Sequence, residues 1–224
     1  MKTLLFRTAA TLFVYLIFRF PKLSSSKRIK KNIFKTFSKL APEYDEWTVK
    51  TGVRYETALE VLLEDLKRHK FAPRNMLDLA TGTAKGAIAL ARQFPNVPIG
   101  ATDFVPEMIE IAKKKAQAEN LNNVHFKVAD SEQTGEPDNS YDFVMTMNAP
   151  VYFNEMIRIL RPQGILAFVF STPYPRFIKK IVTRRIQKFP FTHVHFVPAP
   201  QGFGVWGILH KEARQEEETH ILKV

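Results

Sequence analysis

The sequence predicts an α/β fold in which a mostly parallel sheet of seven strands carries helices on both faces. Short apolar runs alternate with amphipathic stretches from residue 76 to residue 170, and alternation at these lengths is typical of parallel strands joined by helices. The last two apolar runs, near residues 191–197 and 203–210, have only Pro198-Ala-Pro-Gln-Gly202 between them. A hairpin fits this short connection, so we expect the last strand to be antiparallel.

The individual elements follow from hydrophobic periodicity and turn signals. A helix is predicted from Tyr55 to Lys70, with Leu59, Leu62, Leu63 and Leu66 on one face. Further helices are predicted from near Thr83, from Pro106 to about Asn120 and over residues 151–160. The first five strands are predicted near residues 75–79, 98–103, 124–129, 141–147 and 165–170.

The composition sets limits on the class of protein. A chain of 224 residues is long enough for one domain with an appendage, and a hydrophobic content of 45% is ordinary for a packed core. The chain has no cysteine, which excludes disulfides and thiolate metal sites. The formal net charge of +11 favours a polyanionic partner, either a nucleic acid or an anionic membrane surface.

The first 40 residues favour the membrane, because they contain Lys and Arg but no Asp or Glu. The apolar run Ala9–Phe18 is about half of the roughly 20 residues needed to span a bilayer. It predicts an anchor that lies in the membrane plane or inserts partly. Residues 27–40 then read as a basic amphipathic helix of the interfacial kind, with apolar residues at helical spacing: Ile29, Ile33, Phe34, Phe37 and Leu40.

Residues 176–189 form a second basic amphipathic stretch. Its apolar face could contact a membrane, or it could pack on the domain while its lysines and arginines stay in water. A nucleic-acid partner fits the charge but gives no role to the apolar start of the chain. We therefore divide the chain into a membrane-associating segment (1–40), a catalytic domain (41–213) and a charged tail (214–224).

The stretch Asn75-Met-Leu-Asp-Leu-Ala-Thr-Gly-Thr-Ala-Lys-Gly-Ala-Ile-Ala-Leu90 is the most informative motif. An apolar strand enters a tight turn of small residues, and the turn opens a helix whose first N–H groups are free. Gly82 allows the sharp turn and the close approach of a ligand. The next strand ends in Asp103, where a carboxylate could accept both ribose hydroxyls of a nucleotide.

Two residues indicate which ligand this unit takes. Ala84 narrows the space that a dinucleotide would need, and Asp78 at the end of the strand would repel a phosphate but suit an ammonium group. A ligand with an amino-acid end and a ribose end is S-adenosylmethionine (SAM).

The motifs resemble those of class I SAM-dependent methyltransferases, close to the ubiquinone/menaquinone-biosynthesis type. Asp78-Leu-Ala-Thr-Gly-Thr-Ala84 resembles the first motif of that family, and four further stretches match in order: Ala101–Ile109, Val128–Ser131, Tyr141–Asn148 and Glu155–Gly164. The resemblance covers roughly residues 40 to 212 and implies a Rossmann-like fold. The chain departs from the family at Ala84 and Gln163, where glycine is usual, and its short segment after strand four predicts an open substrate side.

The resemblance also implies a set of cofactor-binding residues. Asp78 and the turn Ala80-Thr-Gly-Thr83 would hold the methionine end of SAM, and Asp103 the ribose, although Asp103 could instead cap the following helix. Phe104 and Met108 would pack on adenine or belong to the core, and Asp130 and Ser131 would bind its edge or form a polar loop. Asn148 and the aromatic cover Tyr44 or Tyr55 complete the expected site.

Methyl transfer from a sulfonium needs mainly positioning and exclusion of water, so we expect neither a metal site nor an identifiable catalytic residue. His193 and His195 alternate on one strand without a third ligand. The expected protein is a methyltransferase at the cytoplasmic face of a membrane, acting on a quinone precursor, a phospholipid headgroup or a similar acceptor. The alternatives are an RNA methyltransferase, which lacks a recognisable RNA-binding module here, and a non-enzymatic SAM-binding membrane module.

Overall fold

The computed structural model describes residues 2–50, 56–172 and 175–210, with side chains from residue 8 onward. Its sheet has seven strands in the order β3-β2-β1-β4-β5-β7-β6. The strands are β1 (Met76–Leu79), β2 (Ile99–Asp103), β3 (Val124–Val128), β4 (Tyr141–Met147), β5 (Leu160–Phe170), β6 (Phe191–Ala199) and β7 (Gly202–Leu209).

The α-helices fall before the sheet, between its strands and on both of its faces. They are α1 (Lys2–Arg19), α2 (Lys27–Leu40), α3 (Tyr44–Lys50), α4 (Thr57–Arg68), α5 (Lys85–Gln93), α6 (Pro106–Ala118), α7 (Phe153–Ile159) and α8 (Arg176–Ile186). Short 3₁₀ turns at Pro21–Leu23 and Ala41–Glu43 connect α1 to α2 and α2 to α3.

Strand pairing explains how two distant acidic residues meet. Strands β1 to β5 pair in parallel, whereas β7 runs antiparallel to both β5 and β6, which confirms the predicted antiparallel last strand. Asp78 pairs in register with Ala101, two residues before Asp103. The strand order reverses between β1 and β4, and open α/β sheets bind ligands at the carboxyl edge beside such a point.

Each face of the sheet has its own hydrophobic core. On one face α4 presents Leu59, Leu62 and Leu66, all fully buried, against Trp206 and neighbouring strand residues. The other face is covered by α1, α7 and α8, and the buried residues of α8 are Ile178, Val182 and Ile186. The apolar face of α8 is therefore part of the core, as in the second of the two alternatives for that helix.

Helix α1 packs on the same core, although its apolar run predicts a separate anchor. Val14 is 1% exposed and Phe18 is 5% exposed. The Phe18 ring lies 5.3 Å from the ring of Phe168 and 5.9 Å from that of Phe170. Among the helices of the described residues, none combines the length and the apolar character that crossing a membrane requires.

Several element boundaries differ from the prediction. Helix α5 begins at Lys85 instead of near Thr83, because Ala84 adopts a left-handed conformation with φ 68° and cannot continue a right-handed helix. Strand β5 begins at Leu160, five residues earlier than predicted, with a register shift in its pairing to β4. Tyr55 and the predicted tail 214–224 lie outside the described residues.

The position of Phe18 predicts the effect of removing its ring. Phe18→Ala should lower the free energy of unfolding by about 3–5 kcal/mol, because it leaves a cavity between α1 and the sheet. Denaturant unfolding of the full-length chain measures this.

Phe20→Ala is the matched control, because Phe20 is 45% exposed and its replacement should change stability by no more than about 0.5 kcal/mol. Equal, small effects of both substitutions would show that α1 does not pack on the domain.

Candidate functional site

The turn between β1 and α5 places backbone groups at the carboxyl edge of the sheet. Ala80, Gly82 and Ala84 all have positive φ angles, of 54°, 55° and 68°, so the chain reverses direction within a few residues. Ala84 is fully buried in the core, although its left-handed conformation is one that glycine adopts more readily. Gly86 lets α5 approach β1, because a Cβ there would lie 2.8 Å from Asp78 Oδ2.

Asp78 is a buried carboxylate with one unsatisfied oxygen. Its Oδ2 accepts a hydrogen bond from Thr81 Oγ1 at 2.7 Å, whereas its Oδ1 is buried and has no hydrogen-bond partner among the described residues. Burial, together with the nearby charge of Asp103, raises the pKa of Asp78 to about 7 in spite of its hydrogen bonds. A cationic group on a ligand could donate a hydrogen bond to this oxygen and remove the cost of burying it without a partner.

Asp103 ties the turn to the end of β2. Its Oδ2 accepts a hydrogen bond from the Gly82 N–H and its Oδ1 one from the Val105 N–H, both at 2.9 Å. Burial raises the pKa of Asp103, although these backbone donors oppose the effect. Val105, not Asp103, is the N-cap residue of α6. Each carboxylate oxygen keeps a lone pair for a further donor such as a ribose hydroxyl.

At the opposite end of the site, a lysine of α2 forms an ion pair with Asp130, the residue predicted to bind adenine. Lys30 Nζ lies 2.6 Å from Asp130 Oδ2 and 2.6 Å from Glu132 Oε2. Ser131 is buried beside them, and Tyr152 lines the same small pocket. An adenine amino group that uses Asp130 must therefore share this carboxylate with Lys30 or displace the lysine.

Asn148, which is predicted to bind the cofactor, and the nearby Tyr152 both have hydrogen-bond partners within the chain. Asn148 follows β4 with φ 54°; its Oδ1 accepts from the Ser171 N–H at 2.7 Å and its Nδ2 donates to Ser171 Oγ at 3.2 Å. It thus joins the ends of β4 and β5. The Tyr152 hydroxyl donates to the Ser24 carbonyl oxygen at 3.0 Å, and burial raises its pKa, which makes Tyr152 a wall of the site instead of a base.

A cavity of about 520 Å³ joins these parts. One side is formed by residues predicted to bind the cofactor: Tyr44, Ala80, Gly82, Asp103, Phe104, Met108 and Asn148. The other side is apolar and comes from the two N-terminal helices: Ala9, Ala10, Phe13, Val14, Ile29, Ile33 and Phe37. Asp78, Thr81 and Thr83 line an adjoining smaller pocket. Helices α1 and α2 therefore cover the side that the short segment after β4 predicts to be open.

Helix α3 is hydrogen-bonded to the turn between β1 and α5. Asp45 Oδ1 accepts a hydrogen bond from Thr83 Oγ1 at 2.7 Å, and Asp45 Oδ2 pairs with Lys115 Nζ at 2.8 Å. Burial opposes ionisation of Asp45, but Lys115 and Thr83 outweigh it and lower the pKa. Trp47, one helical turn from Tyr44, also lines the main cavity.

The structure brings the twelve predicted cofactor-binding residues to this one edge, in the main cavity and its two adjoining pockets. Sequence reasoning missed Trp47, Asp45 and Lys30, since no motif marks them. It also missed the wall formed by α1 and α2, although the spacing of Ile29, Ile33 and Phe37 was a visible signal of an apolar face.

Comparisons with known proteins agree with this geometry. Residues 76–164 match a family model described as a methyltransferase domain. A demethylmenaquinone methyltransferase of Deinococcus radiodurans is 35% identical over 150 residues, covering 61% of this chain and 59% of that protein. Its counterpart in Thermus thermophilus is 33% identical over 147 residues, covering 62% and 66%. The chain thus spans about 59–66% of the length of these relatives.

A crystal structure of a SAM-dependent methyltransferase from Aquifex aeolicus has the same fold, with a TM-score of 0.54 at 20% identity over 65% of this chain and 88% of that one. The chain therefore resembles class I SAM-dependent methyltransferases, close to the menaquinone and ubiquinone group. The predicted family resemblance is thereby confirmed, and the comparisons support a methyltransferase that uses SAM as cofactor.

The residues present fit SAM. The unpaired Asp78 Oδ1 suits the ammonium group, Asp103 the ribose hydroxyls, and Phe104 with Met108 an apolar adenine face.

The raised pKa of Asp78 predicts a pH-dependent affinity. Only the ionised carboxylate attracts an ammonium group, and at pH 6 an acid with pKa about 7 is about nine-tenths protonated. Calorimetry should show SAM binding about tenfold weaker at pH 6 than at pH 8.

Asp78→Asn should bind SAM more weakly at pH 8 and lose this dependence. It should also be more stable than the native chain at pH 8 without SAM, because a raised pKa makes Asp78 increasingly destabilising as the pH rises from about 4 through 7. An Asn variant with unchanged affinity would remove Asp78 from the site.

Proposed function

We propose that the protein is a SAM-dependent methyltransferase that works at a membrane surface and methylates a lipophilic or amphiphilic small molecule. The observation that supports this most strongly is the cavity of about 520 Å³, which has cofactor-binding residues on one side and apolar side chains of α1 and α2 on the other. A largely apolar cavity with a few polar groups at the strand ends suits an apolar acceptor next to a donor whose polar ends are held by those groups.

Bound SAM supplies a methyl group that its sulfonium already activates for in-line displacement. The residues of the chain hold donor and acceptor in line and keep water out. Among the cavity-lining side chains of the described residues, Asp103 and Tyr44 are the titratable ones, and Asp103 serves the turn. The proposed acceptor is therefore one that ionises before it binds: either a phenolate oxygen, or a ring carbon activated by a neighbouring phenolate. A ring carbon gains the methyl group as the S–C bond breaks and then loses its ring proton to solvent.

The relatives support a ring acceptor. Two proteins named demethylmenaquinone methyltransferase share the central part of this chain at 33–35% identity, so a quinone precursor is the first acceptor to test and a phospholipid headgroup the second. The apolar lining gives no support to an RNA acceptor, whose bases are held by stacking platforms and basic grooves.

Exposed apolar side chains near the N-terminus support the membrane location. Leu12, Phe20, Leu23 and Phe34 are between 37% and 54% exposed, within an otherwise basic segment. Phe177 of α8 is 50% exposed and packs beside α1 through Tyr15, with ring centroids 6.3 Å apart. Exposed apolar residues next to lysines are typical of interfacial membrane contacts.

The outer face of α2 carries the positive charges of the proposed membrane contact. Its exposed basic residues recur at helical spacing: Lys27, Arg28, Lys31, Lys35 and Lys39. We place the protein at the cytoplasmic face, where anionic lipids attract such residues by about 1 kcal/mol each. The apolar face of α8 is occupied by the core, so in this proposal α8 contributes through Phe177 and its basic residues.

Turnover with labelled SAM tests the function. We expect the label in the organic phase when membrane lipids or a quinone precursor are offered, and mass spectrometry identifies the product. Asp103→Asn should be inactive and serves as the control. Label found only in RNA or in a soluble thiol would contradict the proposed acceptor class.

Flotation with vesicles tests the membrane contact. Full-length protein should float with anionic vesicles, and Lys31→Glu/Lys35→Glu should bind them less, because reversed charges on α2 repel anionic lipid. The charged part of the attraction should weaken in high salt, while the apolar contacts remain.

Lys67→Glu/Arg68→Glu reverses two charges on α4 and is the matched control. Point variants are preferable to deleting residues 1–40, because the deletion would remove the buried side chains of Val14 and Phe18 from the core. Equal flotation of the native chain and both variants, or no flotation of the native chain, would refute the membrane contact by α2.

A further inference from the structure

Two histidines and an aspartate meet on the α4 face of the sheet, away from the cavity. Asp65 lies in the last turns of α4, His69 directly follows that helix, and His195 lies in β6. One possible ligand atom from each side chain lies within 4.8 Å of the other two. The proposed methyltransferase reaction uses none of these residues.

Sequence reasoning considered His195 only together with His193 and found no further ligand for them. The structure separates those two histidines with a register shift in the β6–β7 pairing between Thr192 and His195, and His193 has φ 48°. His195 stacks on Trp206, with ring centroids 4.1 Å apart and an angle of 11° between the planes. The other two ligands of the proposed site are Asp65 in α4 and His69 directly after that helix.

The ligand atoms lie somewhat further apart than around a bound divalent ion. Asp65 Oδ2 lies 3.7 Å from His195 Nδ1 and 4.0 Å from His69 Nδ1, and the three ligand atoms lie within 4.8 Å of one another, whereas two ligands of a tetrahedral Zn²⁺ lie about 3.4 Å apart. Side-chain rotations that bring these atoms up to about 1 Å closer would complete the shell around an ion. The side chains keep between 20% and 44% of their surface exposed, so water can fill the fourth position.

The ligands are also held in place by neighbouring groups. Trp206 Nε1 donates a hydrogen bond to Asp65 Oδ2 at 2.8 Å, and His69 Nδ1 donates to the Asp65 carbonyl oxygen at 2.8 Å. Such outer hydrogen bonds orient the ligands of metal sites.

We propose that Asp65, His69 and His195 bind a divalent transition-metal ion, with Zn²⁺ as the best fit, which links the end of α4 to the β6–β7 hairpin. Two imidazoles and one carboxylate are a ligand set that borderline ions such as Zn²⁺ prefer over Mg²⁺ or Ca²⁺. The ion would join elements that otherwise meet through packing and a few hydrogen bonds. It takes no part in methyl transfer.

Calorimetric titration with Zn²⁺ of the full-length, tag-free protein tests the site. We expect one ion per chain and a rise in Tm of several degrees at saturating Zn²⁺, because an ion that binds only the folded state stabilises it. Mg²⁺ should have no such effect. His69→Phe and His195→Phe, which keep an aromatic ring, should each weaken Zn²⁺ binding at least tenfold.

His125→Phe is the matched control, since His125 is an exposed histidine on β3 at the opposite edge of the sheet; it should bind Zn²⁺ like the native chain. Asp65→Asn provides a third variant if a histidine variant fails to fold. Removing the metal with a chelator should lower Tm without abolishing SAM binding or turnover. No Zn²⁺ binding by the native chain, or equal binding by the histidine variants, would overturn the proposal.

Discussion

The hydrogen bond from the Gly82 N–H to Asp103 Oδ2 joins the ends of β1 and β2 and fixes the turn on which the site is built. One buried carboxylate, Asp103, thereby accepts hydrogen bonds from two backbone N–H groups, whereas the other, Asp78, has one oxygen without a hydrogen-bond partner among the described residues. Burying a charged oxygen that lacks a hydrogen bond is costly. A bound ammonium group would relieve that cost, so the same arrangement that strains the ligand-free protein favours the ligand.

The N-terminal helices serve two purposes. In α1, Phe18 packs on the sheet and Ala9, Ala10 and Phe13 line the cavity, while Val14 does both. Lys30 of α2 pairs with two acidic residues at the adenine end, and the other basic residues of α2 face outward. A displacement of α2 would therefore change the shape of the apolar part of the cavity and the ion pairs at its adenine end.

The alternation of strands and helices, the antiparallel last strand and the gathering of the candidate cofactor residues at one edge could be predicted, because short motifs determine them. Asp78 and Asp103 end adjacent parallel strands, so the sheet itself brings them together. The cavity wall formed by α1 and α2 could not be predicted. An apolar helix face such as that of Ile29 and Ile33 has the same sequence pattern whether it contacts lipid or protein. The three metal-ligand candidates were also hidden, since only the sheet register brings His195 to α4.

We propose that donor and acceptor share one cavity, with α1 lining the acceptor part. Ala10→Trp tests this arrangement, because Ala10 lines the cavity from α1 and the added indole would fill space there. SAM affinity and methyl transfer to lipid extract are measured for this variant and for the native chain. We expect unchanged SAM affinity and a loss of at least tenfold in turnover; full turnover in the variant would show that the acceptor does not occupy this space.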